Sequence, residues 1–167
     1  MKNLSDVVIR DAEHDDVETL HDFMLRTSAE SAVGVGELYE AVLDSDDTVT
    51  IALSPVDGSV IGVLWYTPWE YHSLGIHVVA VEKSWRNMGL GTKLINMADP
   101  ESLGLEYSVF SVSSENFKAL KFLSDRGFIV TKVFEFADEE MYILRKTARK
   151  SKPIELTSRL RWRHVNG

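Results

Sequence analysis

Apolar positions along this chain recur with two different periods, and each change of period marks an element. Residues 7–9 form a short apolar, β-branched run and read as a strand. Asp15 followed by Glu18 reads as a helix start, a carboxylate cap with an acid three residues on, and Val17, Leu20, Phe23, Met24 and Thr27 then share one helical face. The stretch holding Gly34 and Gly36 breaks that helix, and a shorter one over 37–43 buries Leu38 and Val42. Residues 48–53 and 60–65 are strand-like, and Ser54, Pro55, Asp57 and Gly58 between them carry the turn chemistry of a hairpin. Thr67 to His72 then connects to a central strand over 76–81. Helical spacing returns with Leu90, Leu94, Ile95 and Met97, ends at Asp99, Pro100 and Gly104, and gives way to a strand over 107–112. A strand, a helix and a strand in this order predict a right-handed crossover with parallel pairing. Ser113 to Asn116 cap a further helix carrying Phe117, Leu120 and Leu123, which stops at Gly127 as a left-handed cap. Residues 128–136 and 140–144 close the sheet as a hairpin around Asp138 and Glu139.

The tail follows a different pattern. Ile154, Leu156, Leu160 and Trp162 fall at even positions while Arg159, Arg161 and Arg163 fall at odd ones, the alternation of a strand with one apolar and one basic face. Three roles suit it: packing on the body, adding an edge strand to a partner, or lying on nucleic-acid phosphates.

Length and composition narrow the class. At 167 residues, 44% apolar and 26% charged, the chain is expected to be one ordinary globular domain with a single substantial core. It holds no run of about 18 apolar residues and its first residues lack a signal-peptide core, so a cytoplasmic protein off the membrane is expected. With no cysteine it has neither disulfides nor a thiol nucleophile, and its five histidines, at 14, 21, 72, 77 and 164, include no His-x-x-x-His pair, so no metal site is expected. Charge is unevenly placed. Residues 1–57 hold 14 acidic and 3 basic side chains, whereas 143–167 hold 8 basic and 1 acidic. The acidic front is either a solvated surface or a field that steers a cationic acceptor such as an amine.

The chemistry is concentrated where the central strand meets the helix of Leu90, at Arg86, Asn87, Met88, Gly89, Leu90 and Gly91. Two glycines two apart at a helix entry let backbone approach a ligand closely and leave first-turn N–H groups pointing at it. Those donors, the helix dipole and Arg86 favour an anion, which makes the stretch a phosphate cradle. A dinucleotide fingerprint would need a third glycine at Leu94, and a Walker loop would need Gly-Lys-Ser/Thr where Gly91, Thr92 and Lys93 stand.

Arg-x-x-Gly-x-Gly after a strand resembles the pyrophosphate-binding motif of the GNAT superfamily of acyl-CoA-dependent N-acyltransferases. A second motif of that family, Asn-x-x-Ala-x-x-Phe-x-x-x-x-Gly-Phe, is matched by Asn116, Ala119, Phe122, Gly127 and Phe128. The resemblance covers about residues 6 to 146. It implies an α/β (α+β) fold: a single GNAT-like domain over 1–146, with a central mixed sheet of six to seven strands flanked by about four helices and strands 4 and 5 parallel and splayed. Residues 147–167 would be a basic C-terminal extension. The implied cofactor is acetyl-CoA, its pyrophosphate held by Arg86 to Thr92, with Asn116 and Phe122 as further contacts and Lys93, Lys118 and Lys121 available for the remaining phosphate. Pantetheine would lie between the splayed strands, bonded to the backbone of Val79, Ala80 and Val81, with a strand N–H near Val79 as oxyanion donor. The segment from Ala32 to Gly36 would overhang the acceptor pocket, and Trp65, Trp69 and Tyr71 are candidate pocket walls or core aromatics.

A primary amine of pKa about 10.4 is protonated at pH 7, so a base or a water relay must remove a proton. His77 is the first candidate, placed beside Val79 on the strand, though a histidine satisfied within the sheet is the alternative. Glu70, Tyr71, His72 and Glu82 are weaker candidates. Many members of the family carry a tyrosine directly after the phenylalanine of the second motif, able to protonate the thiolate, but Phe122 here is followed by Leu123. Tyr107 and Tyr142 are candidate replacements, each readable as an amphipathic core residue. The resemblance thus implies an N-acetyltransferase acting by direct attack of a primary amine of a small molecule or peptide. The alternative is a non-catalytic acyl-CoA-binding sensor of the same fold. Acceptor identity, acyl length and oligomeric state, a homodimer included, stay open.

Overall fold

The computed structural model describes residues 1–27, 35–43 and 46–149. They form β1 (Val8–Asp11), α1 (Val17–Thr27), α2 (Val35–Leu43), β2 (Thr48–Leu53), β3 (Val60–Trp69), β4 (Ser73–Val81), α3 (Leu90–Asn96), β5 (Tyr107–Ser113), α4 (Phe117–Ser124), β6 (Ile129–Phe136) and β7 (Glu139–Thr147). Hydrogen-bonded neighbours follow the order β1-β2-β3-β4-β5-β7-β6, a seven-stranded sheet. The β4–β5 pair is parallel, while β1–β2, β2–β3, β5–β7 and β6–β7 are antiparallel. The expected mixed sheet with parallel fourth and fifth strands is therefore present. No described helix is long and apolar enough to cross a membrane. The basic tail beyond Arg149 lies outside the described residues, as do 28–34, which hold most of the segment expected to overhang the acceptor.

Two compact units divide the chain, residues 1–67 with 77–97, and residues 68–76 with 98 onward, so that β4 gives one half to each. In the first unit β2 is buried from Val49 to Ala52 and β3 from Val60 to Trp65, continuous runs rather than alternating ones, as expected for strands covered on both faces. One cover is α1 with α2. Val17, Leu20, Phe23, Met24 and Leu38 are at most 1% exposed and pack in one cluster with Val49, Ile51, Val63, Trp65 and Val78. The other cover includes α3, which comes so near β3 that a Cβ on Gly62 would stand 3.0 Å from the Leu94 side chain. Register here runs from Val8↔Leu53 to Asp11↔Thr50, and from Thr48↔Tyr66 to Leu53↔Val60.

In the second unit, Ser73 to Ile76 of β4 pair with Tyr107 to Phe110 of β5, and β5 pairs along its length with β7. Leu123 of α4, Phe128, Val112 and Leu144 are buried. The outermost strand, β6, leaves Ile129, Val133 and Phe136 exposed, and its register slips at Thr131, between Val130 and Lys132. Ala137 and Asp138 take φ of 51° and 63°, the paired left-handed conformation that a two-residue hairpin turn demands.

Three local expectations need correction. The helix expected to start with Asp15 as its cap is instead led in by a 3-10 turn over His14–Asp16 with Glu13 as its cap, where Asp16, not Asp15, accepts the Glu13 N–H at 2.8 Å. Val35 and Gly36 open α2 instead of ending a loop. Thr67, Pro68 and Trp69 belong to β3 and not to a connection. Proline is tolerated there because pairing with β2 ends at Tyr66, so no β2 carbonyl awaits the missing N–H. Phe117, the first residue of α4, is 76% exposed, whereas Leu123 is buried.

Candidate active site

The first unit contains the loop expected to cradle a phosphate and the strand that leads into it. From Val81 the chain passes through a 3-10 turn, Lys83–Trp85, whose Trp85 is buried at 3% exposure and anchors the loop. Lys2 locks the same turn from outside, its Nζ donating to the Ser84 carbonyl at 2.8 Å and lying over the Trp85 ring. Arg86 Nε donates back to the Val81 carbonyl at 2.9 Å, which ties the guanidinium to the end of β4. Asn87 then takes φ 61° and Gly89 φ 90°, so two left-handed residues bracket Met88 immediately before α3. Asparagine and glycine are the residues that adopt this conformation at least cost. The first bond into the helix is from Lys93 N–H to the Gly89 carbonyl at 3.0 Å, so the amides of Leu90 and Gly91 precede the helical ladder. Leu90, Leu94 and Ile95 are buried and hold the helix from behind. Glycine at 89, two amides ahead of the ladder and a tethered arginine make a donor set that fits a pyrophosphate.

On β4, His77 is the one exposed position in a run otherwise buried from Ser73 to Val78, and Val79 and Ala80 are half-buried. Its Nε2 lies 2.5 Å from Thr67 Oγ1 on β3. Thr67 Oγ1 donates to Asp47 Oδ1 at 2.6 Å, and Trp65 Nε1 donates to Asp47 Oδ2 at 2.8 Å. The Trp65 and His77 rings are inclined at 52° with centroids 5.2 Å apart. Partial desolvation of the ring pushes the His77 imidazole below its ordinary range, and the Asp47 carboxylate pulls the other way. Asp47 and Thr67 escaped the sequence reading, although a signal for them exists. Thr48 pairs with Tyr66, so the next register position sets Asp47 against Thr67, provided β3 is read through Thr67.

The other site candidates separate cleanly. His77, Val79, Ala80, Val81 and the loop from Arg86 to Thr92 are in the first unit, while Asn116, Phe122 and Tyr142 are in the second. Asn116 is the N-cap of α4, its Oδ1 accepting the Ala119 N–H at 3.1 Å. The Phe122 ring carries the Arg126 guanidinium at 3.7 Å, and Leu123 beside it is 2% exposed. Tyr142 is half-buried on β7 between Val112 and Val133, and Tyr107 is stacked under Arg145 at 3.6 Å. Lys121 is paired with Asp125 and Glu82 with Arg26. Trp65 is a core residue at 8% exposure, whereas Trp69 and Tyr71 are exposed. Among the described residues no cluster of potential ligands could hold a metal ion.

Comparison with known proteins bears on the family and the fold. The sequence profile of the acetyltransferase (GNAT) family matches residues 15–128. No curated protein matches the chain in sequence. Among solved structures, NAA60 from Arabidopsis thaliana in complex with a bisubstrate analogue is 16% identical, with a TM-score of 0.75 over 87% of this chain and 99% of that one. The spermidine N-acetyltransferase SpeG from Vibrio cholerae is 18% identical, with a TM-score of 0.70 over 87% of this chain and 96% of its own. The PaiA N-acetyltransferase from Thermoplasma acidophilum, in complex with coenzyme A, is 15% identical at a TM-score of 0.68, over 84% and 98%. At such identities these structures speak to the fold, and the profile, which spans more than half of the chain, speaks to descent. The chain belongs to the GNAT family of acetyltransferases, acyl-CoA-dependent N-acetyltransferases that draw on acetyl-CoA.

Proposed function

We propose that this chain acetylates a primary amine of a small molecule or peptide, cationic in its free form, by direct attack. The observation that carries the reading is the cradle: two left-handed residues, Asn87 and Gly89, opening α3 directly behind the central strand of a GNAT chain. When bound, acetyl-coenzyme A supplies an activated acetyl carbonyl and a thiol leaving group. The amides of Leu90 and Gly91, with Arg86, are the groups proposed to receive its pyrophosphate, and an N–H of β4 near Val79 to donate to the carbonyl oxygen. Asn116 and Phe122 are proposed as further contacts on the strength of the second motif. His77 is proposed to take the proton from the incoming ammonium. Tyr142 stays the candidate acid, since Leu123 is an aliphatic, buried residue with no proton to give. The acidic excess of residues 1–57 and the presence of a spermidine N-acetyltransferase among the structural neighbours support a cationic acceptor.

Calorimetric titration with acetyl-coenzyme A and coenzyme A, with ATP as control, tests the cradle. Gly89→Glu places a side chain and a negative charge where the pyrophosphate belongs, and is expected to weaken both bindings at least tenfold in a protein that still melts cooperatively. Unchanged affinity in that variant would remove the reading. Turnover is read by thiol release, which is clean because the chain has no cysteine of its own. Binding without release across a panel of polyamines and peptide amines would favour the sensor alternative.

A further inference from the structure

The hydroxyl of Thr67 sits between a carboxylate and an imidazole, and it has one proton to give. Asp47 takes that proton: its ionised carboxylate can only accept, and it receives Thr67 Oγ1 at 2.6 Å on one oxygen and Trp65 Nε1 at 2.8 Å on the other. Toward His77, Thr67 therefore presents lone pairs alone. The 2.5 Å contact to Nε2 requires the ring to be the donor. A neutral imidazole carries one N–H, so a proton held on Nε2 leaves Nδ1 bare.

We propose that Asp47 and Thr67 are positioning residues that lock His77 in the tautomer with Nε2 protonated and Nδ1 as the working basic nitrogen. The catalytic part of this rests on reading His77 as the base; the tautomer itself rests only on the hydrogen bonds. In the reaction the proton leaves the acceptor ammonium for Nδ1, the ring becomes imidazolium while keeping its Nε2 proton on Thr67, and the proton passes on to water. Asp47 keeps its charge throughout and faces the transient cation through the hydroxyl, orienting it without itself being protonated. Trp65 serves the same end. Its N–H pins the second carboxylate oxygen, which prevents the carboxylate from turning away from Thr67.

One substitution should invert the arrangement. In Asp47→Asn the amide oxygen is needed by Trp65 N–H, so the amide NH2 faces Thr67 and donates to it. Thr67 must then spend its own proton on Nε2, which forces the hydrogen of the neutral ring onto Nδ1. The measurement is 15N-edited NMR of the histidine-labelled full chain, with the His77 resonances assigned by their loss in His77→Gln. The expected result is Nε2–H in the native protein, Nδ1–H in Asp47→Asn, a mixture in Thr67→Val, and Nε2–H again in Thr67→Ser. In parallel, kcat in Asp47→Asn should fall on the order of 10²-fold, the size of effect general-base catalysis commands, with unchanged affinity for acetyl-coenzyme A. Native Nδ1–H, or a tautomer indifferent to both Asp47→Asn and Thr67→Val, would overturn the proposal. If instead the tautomers follow the prediction while His77→Gln turns over at the native rate, the positioning network stands and the base assignment fails.

Discussion

At the scale of single residues, the polar groups that matter are those whose hydrogen bonds leave no choice of partner. Asp16 is one. It accepts both guanidinium nitrogens of Arg10, at 2.6 and 3.0 Å, and the Glu13 N–H at 2.8 Å, and the Arg10 bond above all holds its carboxyl below the usual carboxylate range. A depressed carboxyl stabilises the fold at pH values above its unfolded pKa, 3.8, and the contribution is lost as pH falls through the lower folded value. Asp16→Ala should therefore cost about 1–2 kcal/mol at pH 7, and the difference from the native protein should close as denaturation is followed below pH 3.8. His77 carries the opposite sign of argument for rate. Partial desolvation lowers its pKa, so the neutral base persists to lower pH, and the acid limb of kcat/KM should fall below 6.5. An acid limb at or above 6.5 would mean that another group takes the proton. His77 was visible in the sequence because a lone imidazole on a buried apolar strand is chemically conspicuous. Asp47 and Thr67 were not, since each is an ordinary loop or strand residue until register brings them together.

Elements were legible wherever periodicity ran for a full turn or a full strand. The buried face of α1, the limits of β2 and the start of α3 were all readable, because burial imposes a period and the glycines of the cradle impose an end. What failed to show was governed by neighbours. The extension of β3 through Pro68 depends on where β2 stops, and the opening of α2 at Val35 overrides the reading of glycine as a breaker. Two glycines illustrate how differently one residue type can constrain an element. At Gly89 a Cβ would meet only the Leu4 side chain, at 3.7 Å, so Gly89→Ala suffers backbone strain alone, about 1–2 kcal/mol. At Gly75 a Cβ would stand 2.1 Å from the Trp69 ring. No rotamer of alanine relieves that overlap, so the indole must leave its place. Gly75→Ala should cost about 1–3 kcal/mol and shift Trp69 fluorescence toward that of a more exposed indole. Gly75→Ala with native stability and emission would show that the ring holds nothing in place.

For the whole molecule the informative quantity is how charge is distributed along the chain. Net charge is −8, yet residues 1–57 are strongly acidic and 143–167 strongly basic, so the two ends of the sequence carry charge of opposite sign. Within the first unit the acidic side chains Glu18, Asp22, Glu37 and Glu40 are exposed on α1 and α2. If this excess steers an ammonium acceptor, its influence must weaken once the Debye length shrinks from about 10 Å at 0.1 M salt to about 3 Å at 1 M. A merely solvated acidic surface carries no such dependence on acceptor charge. The comparison is kcat/KM for a polyamine and for an uncharged aromatic amine of similar size, each measured from low to high salt. Steering predicts that the polyamine value falls severalfold while the neutral amine stays level, because screening acts on encounter and leaves the chemical step untouched. Parallel lines for the two acceptors would assign the acidic front to solubility, and the choice of acceptor would then rest on short-range contacts alone.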